Sequence, residues 1–423
     1  MKVKVLVFPC GSEIGLEINR SLRDAKEVDL WGASSCEDHG KLAFAQVTPN
    51  LPFWHEPDFA ERLNRLLRWD GFDYFIPAYD PVVKLCAEGL VTACKVLTQP
   101  PETVRICASK RTTNRLFEGK IPLPRRYDSL DGSEPYPLFL KPDGGSGSKG
   151  VSLARSIAEA RFLMEQNPSL VAFDYLPGSE YTVDCFTDRE GRLIYCGGRT
   201  RERTMDGIAV RSSTVERAEF RKVAEIVNAT LQFRGTWFLQ LKEDAHGVPC
   251  LTEIGPRLAG SMGTHRLQGI NFMLAELYQA EGAQVSFLPL PCAVTYDRAL
   301  EGRGVVHLEY SAVYTDLDDC LLCGGRLNLR MVRFLYQCLG EGKRLVLLTR
   351  HATNPHETLE RFRLQNLFDE VVWLRDRAED KAARITRRDA LFIDDSFGER
   401  QAVSRALGIP VLAPDMVELL LRD

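Results

Sequence analysis

No stretch of the chain approaches the roughly 18 consecutive apolar residues of a membrane-spanning helix. Its opening run, MKVKVLVFPC, is interrupted by Lys4 and is too short for a signal-peptide core. Both absences predict a cytosolic protein with no membrane partner. Charge of one sign is also missing. The 54 basic and 58 acidic residues leave a net charge of -4, and without a basic stripe no nucleic-acid partner is expected. Cysteine is sparse and scattered, 12 in 423 residues, which excludes a disulfide scaffold and leaves most of them as small core residues. One CxxC, Cys320 to Cys323, has no second pair with which to hold zinc. The Walker A pattern GxxxxGK[ST] is not met either, because Lys149 precedes Gly150.

Apolar residues make up 44% and charged residues 26%, enough for a large core. At about 150 residues per domain the length predicts two to four domains. Residues 3–8 (VKVLVF) read as a strand, PCGSEIG as a tight turn, and LEINRSL as a helix. VDLWGA, FDYFIPAYD and CKVLTQ continue that rhythm, which predicts a parallel α/β unit over 1–105. A helix is expected from a serine cap at Ser109, followed by a strand-rich domain over 106–300. A proline-marked stretch near 289–291 precedes a new α/β series, a third domain over 304–423.

In PLFLKPDGGSGSKGVSLA an apolar strand ends at Lys141 and enters a glycine loop. Glycine has no Cβ and tolerates positive φ, so the backbone N–H groups of such a loop can approach phosphate; a plain hairpin loop has the same composition. The ordered series Lys110, Lys141, Gly145-Ser146-Gly147, Asp174 to Glu180, Gln240 and Glu253-Ile-Gly-Pro-Arg257 resembles the ATP-grasp superfamily, in particular the carbamoyl-phosphate-synthase-like ligases, over about 280 residues. The resemblance implies an α/β pre-ATP-grasp domain followed by an α+β ATP-grasp domain. Lys110, Lys141 and the loop would hold ATP phosphates, Asp174, Tyr175 and Leu176 the adenine, and Glu180 the ribose. Gln240 and Glu253 would hold Mg2+, with Mn2+ as an alternative, and Arg257 would neutralise the phosphoryl group in transfer. It also implies that Arg199, Arg201 and Arg211 face a substrate carboxylate; a solvated basic loop is the other reading. The family usually has Asn where this chain has Gly255, so an oxygen that helps hold a second metal is missing, and either a water substitutes or the metal site is weaker.

Further on, AVYTDLDDCLL, RLVLLT, VVWLRD and ALFIDD are strand-like segments ending in polar residues. Ligands bind at the carboxyl ends of parallel strands, so Asp316, Thr349 and Asp394 should converge. The carboxylates Asp316, Asp318, Asp394 and Asp395 cannot all ionise in one pocket without a cation, and an oxygen-only set points to magnesium. The pattern is similar to the haloacid dehalogenase (HAD) superfamily and implies a Rossmann-like phosphatase domain. Asp316 would be the nucleophile, Asp318 the acid, and Thr349 and Lys381 the holders of the phosphoryl oxygens. Cys320 stands where that family usually has Thr or Val, which weakens a hydrogen bond. Only about 30 residues separate Asp316 from Thr349, and Thr349 from Lys381, so no cap domain is expected and the ligase half is the nearest source of a lid.

Together these expectations describe a bifunctional enzyme that joins a small carboxylate to an amine, such as an amino acid, and hydrolyses a phosphorylated small molecule. A phosphatase with an ATP-grasp substrate-binding module, an ATP-binding sensor or scaffold with weak turnover, and assembly as a homo-oligomer stay open.

Overall fold

β-branched and aromatic residues in VKVLVF build β1 (Val3–Phe8). Ser12 then caps the helix Glu13–Leu22, its Oγ accepting the Gly15 N–H at 2.9 Å. Ile14, Ile18 and Leu22 recur at the helical period and pack with Val5 and Val7 of the strand. Repetition of the motif gives β2 (Val28–Gly32), β3 (Tyr74–Pro77) and β4 (Lys95–Val96), a parallel sheet of order β2-β1-β3-β4. The helix Asp80–Ala87 starts just past β3, which puts Asp80 near the carboxyl edge of this sheet. The computed structural model describes residues 2–145, 149–299, 306–376 and 378–422. Its chain divides into two compact units, Met1–Glu301 and Gly302–Asp423.

Two antiparallel sheets complete the first unit. The smaller contains β5 (Arg126–Tyr127), β6 (Leu138–Pro142), β7 (Ser152–Ala154) and β8 (Leu170–Asp174) in the order β5-β8-β6-β7. The larger contains β9 (Glu180–Thr187), β10 (Leu193–Thr200), β11 (Arg203–Met205), β12 (Ile208–Val215), β13 (Gly235–Glu243) and β14 (Pro249–Gly255). Its order is β11-β12-β10-β9-β13-β14, with β15 (Thr295–Asp297) added on β12. Phe220, Val223, Ala224 and Val227 of the helix Ala218–Thr230 bury one face of it against Val183, Trp237 and Leu239. Before the smaller sheet runs the helix Lys110–Phe117, capped as expected by Ser109, whose Oγ accepts the Thr112 N–H at 3.1 Å.

The second unit is a five-stranded parallel sheet of order β20-β19-β16-β21-β22. Its strands are β16 (Ala312–Thr315), β19 (Arg344–Thr349), β20 (Glu370–Trp373), β21 (Ala390–Ile393) and β22 (Val411–Leu412). Alternate residues feed two cores, Val313, Leu345, Leu347 and Leu391 on one face and Tyr314, Val346, Leu348 and Phe392 on the other. Between Asp316 and Thr349 lie the hairpin β17 (Leu322–Cys323) and β18 (Arg326–Leu327) and the helix Leu329–Gly340; between Thr349 and Lys381 lie the helix Pro355–Arg361 and β20. Neither connection contains a further folded layer among the described residues. No helix of the described residues is long and apolar enough to cross a membrane.

Candidate active sites

The first unit contains a cavity of about 160 Å³ between its two antiparallel sheets. Lys110, Lys141, Gly145, Asp174, Tyr175, Leu176, Glu180, Gln240 and Glu253 all line it, so the expected nucleotide residues are brought together. Ser146 and Gly147 lie outside the described residues. Gly145 has φ of +107°, a backbone conformation that a side chain would strain. Phe139, Phe173, Lys242 and Thr252 also line the cavity and were missed in the sequence. Strand alternation could have found Phe139, which shares a face with Lys141.

Lys141 is almost fully buried, and burial pushes its ammonium down to about 8. It donates to the Thr252 carbonyl at 3.1 Å and lies 4.8 Å from the centre of the Phe173 ring. That carbonyl is available because the β13–β14 ladder slips by one residue between Gln240 and Leu241, leaving Thr252 as a bulge. Lys110 Nζ donates to the Gly145 carbonyl at 2.9 Å. Gln240 and Glu253 are directly opposed across β13 and β14, two oxygen-bearing side chains on one face, as a hard cation requires. Burial raises the Glu253 carboxyl above its ordinary value, against the opposing charge of Lys110.

Gly255 gives a firmer result than its missing oxygen alone. It is paired with Phe238 across the ladder, and an added Cβ would run into that ring. The position that the family fills with Asn is therefore occupied by an aromatic side chain, and no second metal ligand fits there.

The three arginines expected to face a substrate carboxylate are each paired with a carboxylate of this chain. Arg199 is fully buried and holds the equally buried Asp184 through Nε at 2.7 Å and Nη2 at 3.2 Å, so it presents no fork to a substrate. Arg201 turns its Nε to Glu180 at 2.8 Å, so it holds the carboxylate expected at the ribose. Arg211 of β12 is exposed, paired with Glu202 and with Asp297 of β15 at 2.9 and 3.0 Å. Arg257 is not among the residues lining the cavity. Its guanidinium grips Asp80, with Nη2 at 2.8 Å, and donates to the Leu258 carbonyl.

In the second unit, oxygens of Asp316, Asp394 and Asp395 lie within 4.8 Å of one another. Lys381 is buried between them and donates to Asp316 at 2.7 Å and Asp394 at 2.6 Å. Burial pulls its ammonium down, but the two carboxylates outweigh this and keep it charged. Burial also pushes the Asp394 carboxyl up to about 6, a group poised to accept either a proton or a cation. Asp318, expected as a fourth carboxylate at the metal, is instead turned to His351, 2.9 Å away. Thr349 ends β19 fully buried, its Oγ1 accepting the His351 N–H at 3.1 Å. Cys320 is buried and its thiol is pushed far up by desolvation, whereas Cys323, the other member of the CxxC, is exposed.

A family model described as ATP-grasp in the biosynthetic pathway with Ter operon matches residues 166–295. The biotin carboxylase domain of Hydrogenobacter thermophilus 2-oxoglutarate carboxylase, solved with MgADP, ADP and bicarbonate, is 14% identical. It aligns over 69% of this chain and 73% of its own with a TM-score of 0.57. The first unit has the ATP-grasp fold. L-amino acid ligase from Bacillus licheniformis aligns over 74% of this chain and 83% of its own, with 18% identity and a TM-score of 0.53. N5-carboxyaminoimidazole synthetase from Staphylococcus aureus, complexed with ADP, aligns over 69% and 81%, with 15% identity and a TM-score of 0.55. None of the curated proteins matches the chain in sequence.

Proposed function

We propose that the ATP-grasp unit is an ADP-forming ligase that phosphorylates a small carboxylate and passes the acyl group to an amine. Residues 1–105 serve as its pre-ATP-grasp domain and 106–300 as its catalytic domain. The observation that carries this reading is the opposed pair Gln240 and Glu253 facing one cavity with Lys110 and Lys141. Solved neighbours with this fold hold ADP, and one of them holds magnesium. Magnesium, when bound, would neutralise phosphate charge and polarise the phosphoryl group. The chain supplies the rest. Lys110 and Lys141 exchange their carbonyl partners for phosphate oxygens, and Tyr175 and Leu176 meet the adenine. Glu180, held by Arg201, reaches the ribose hydroxyls. Incubation with ATP and a panel of amino acids and small carboxylates tests the reading. Release of ADP and phosphate supports it, whereas AMP and pyrophosphate would replace it with adenylation.

The second unit we read as a capless HAD-like phosphohydrolase. The support is the Asp316, Asp394 and Asp395 cluster with Lys381 at the carboxyl edge of a parallel sheet. Asp316 attacks phosphorus and forms an aspartyl phosphate while the leaving oxygen takes a proton from Asp318. Water then attacks phosphorus, returns a proton to Asp318 and frees phosphate. Magnesium fits the three carboxylates and would offset their charge.

A further inference from the structure

His351 lies two residues past the end of β19, outside every motif that marked the site. Its Nδ1 is 2.9 Å from both carboxylate oxygens of Asp318, and its Nε2 is 3.0 Å from Thr358 Oγ1 on the helix Pro355–Arg361. The main chain is tied as well: the N–H donates to Thr349 Oγ1 at 3.1 Å and the carbonyl accepts from Trp373 Nε1 at 2.9 Å. The two ring nitrogens thus each face one polar partner, the Asp318 carboxyl at Nδ1 and the Thr358 hydroxyl at Nε2. The ring is held in place from both ends. Asp318 itself is half-exposed, and among the described residues its carboxylate bonds to no other side chain.

We propose that His351 is a positioning residue for Asp318, holding that carboxyl where it protonates the leaving oxygen. The proposal rests on the phosphohydrolase reading of the second unit. A half-exposed aspartate samples several rotamers, and a ring nitrogen equidistant from both oxygens selects one of them. The selection matters only when the leaving group needs a proton. An alkoxide needs one, whereas 4-nitrophenolate leaves without it, so the two classes of ester separate positioning from general damage to the fold.

The test uses the full chain with magnesium, ethyl phosphate and 4-nitrophenyl phosphate, and reads kcat/KM, which reports phosphoryl transfer to Asp316. His351→Ala should lose about ten- to a hundredfold more on ethyl phosphate than on the nitrophenyl ester, a share of what a positioned acid supplies. His351→Asn keeps an N–H near the place of Nδ1 and should recover most of that difference. If His351→Ala does not fold, Thr358→Val, which removes the bond at Nε2, should show the same preference for the good leaving group to a smaller extent. Equal losses on both esters, or none on either, would overturn the positioning role. Wild-type protein that turns over neither ester, or an Asp316→Asn variant that keeps turnover, would instead overturn the phosphohydrolase reading, a result visible before any His351 variant is made.

Discussion

At Lys141, burial holds the ammonium near a pKa of about 8, so the empty site loses this charge as pH rises through that value. Bound phosphate favours the charged form and raises the pKa again, which couples nucleotide binding to proton uptake. Affinity should therefore be flat below pH 8 and weaken by up to about tenfold per unit above it. Titration calorimetry in two buffers of different ionisation heat would show the uptake, and Lys141→Arg, charged throughout, should abolish it. Lys141→Ala should weaken nucleotide binding by about 1.5–3 kcal/mol, the worth of a bond to a charged group. Gly255 makes a second residue-scale case. Because a Cβ there meets the Phe238 ring, Gly255→Asn should destabilise the fold by about 1–3 kcal/mol, as overpacking does, and should not tighten magnesium binding. Combining it with Phe238→Ala should cost less than the sum of the two single changes in urea unfolding, since one clash is removed.

At the scale of elements, the carboxyl edges of β16 and β21 bring Asp316 and Asp394 to one ammonium. Lys381→Met leaves these carboxylates facing each other and should destabilise the metal-free protein by about 3–5 kcal/mol. Added magnesium should restore part of that loss, a gain readable as a rise in Tm. Much of this unit was legible because apolar runs end in polar residues at the strand ends, so local patterning located Asp316, Thr349 and Asp394. The arginines were not legible in the same way. Arg199 reads as a free polar group until the β9–β10 register sets Asp184 opposite Gly197, one diagonal step away. Arg211 needs β15 beside β12, a pairing of strands far apart in the chain that no local pattern encodes. Asp318 and His351, 33 residues apart, meet only through tertiary structure. The Thr252 bulge likewise depends on which strand β14 pairs with, which no local pattern encodes.

The whole molecule consists of two units, each with its own buried apolar clusters. Changes at one site should leave the other working. Asp316→Asn should remove phosphate-ester hydrolysis by several orders of magnitude, since the attacking carboxylate is gone. ATP-dependent phosphate release with carboxylate and amine should continue at close to its original rate. Loss of both activities from that one substitution, with the fold intact by circular dichroism, would mean that the two chemistries share a step. Continuity of the chain from one unit to the other has a further result, in the arithmetic of supply. Translation makes the two units in equal number, so neither can be produced in excess of the other. If both units act as proposed, a product freed by one would start its diffusion within a chain's length of the other, at a local concentration set by the linkage rather than by the number of molecules present.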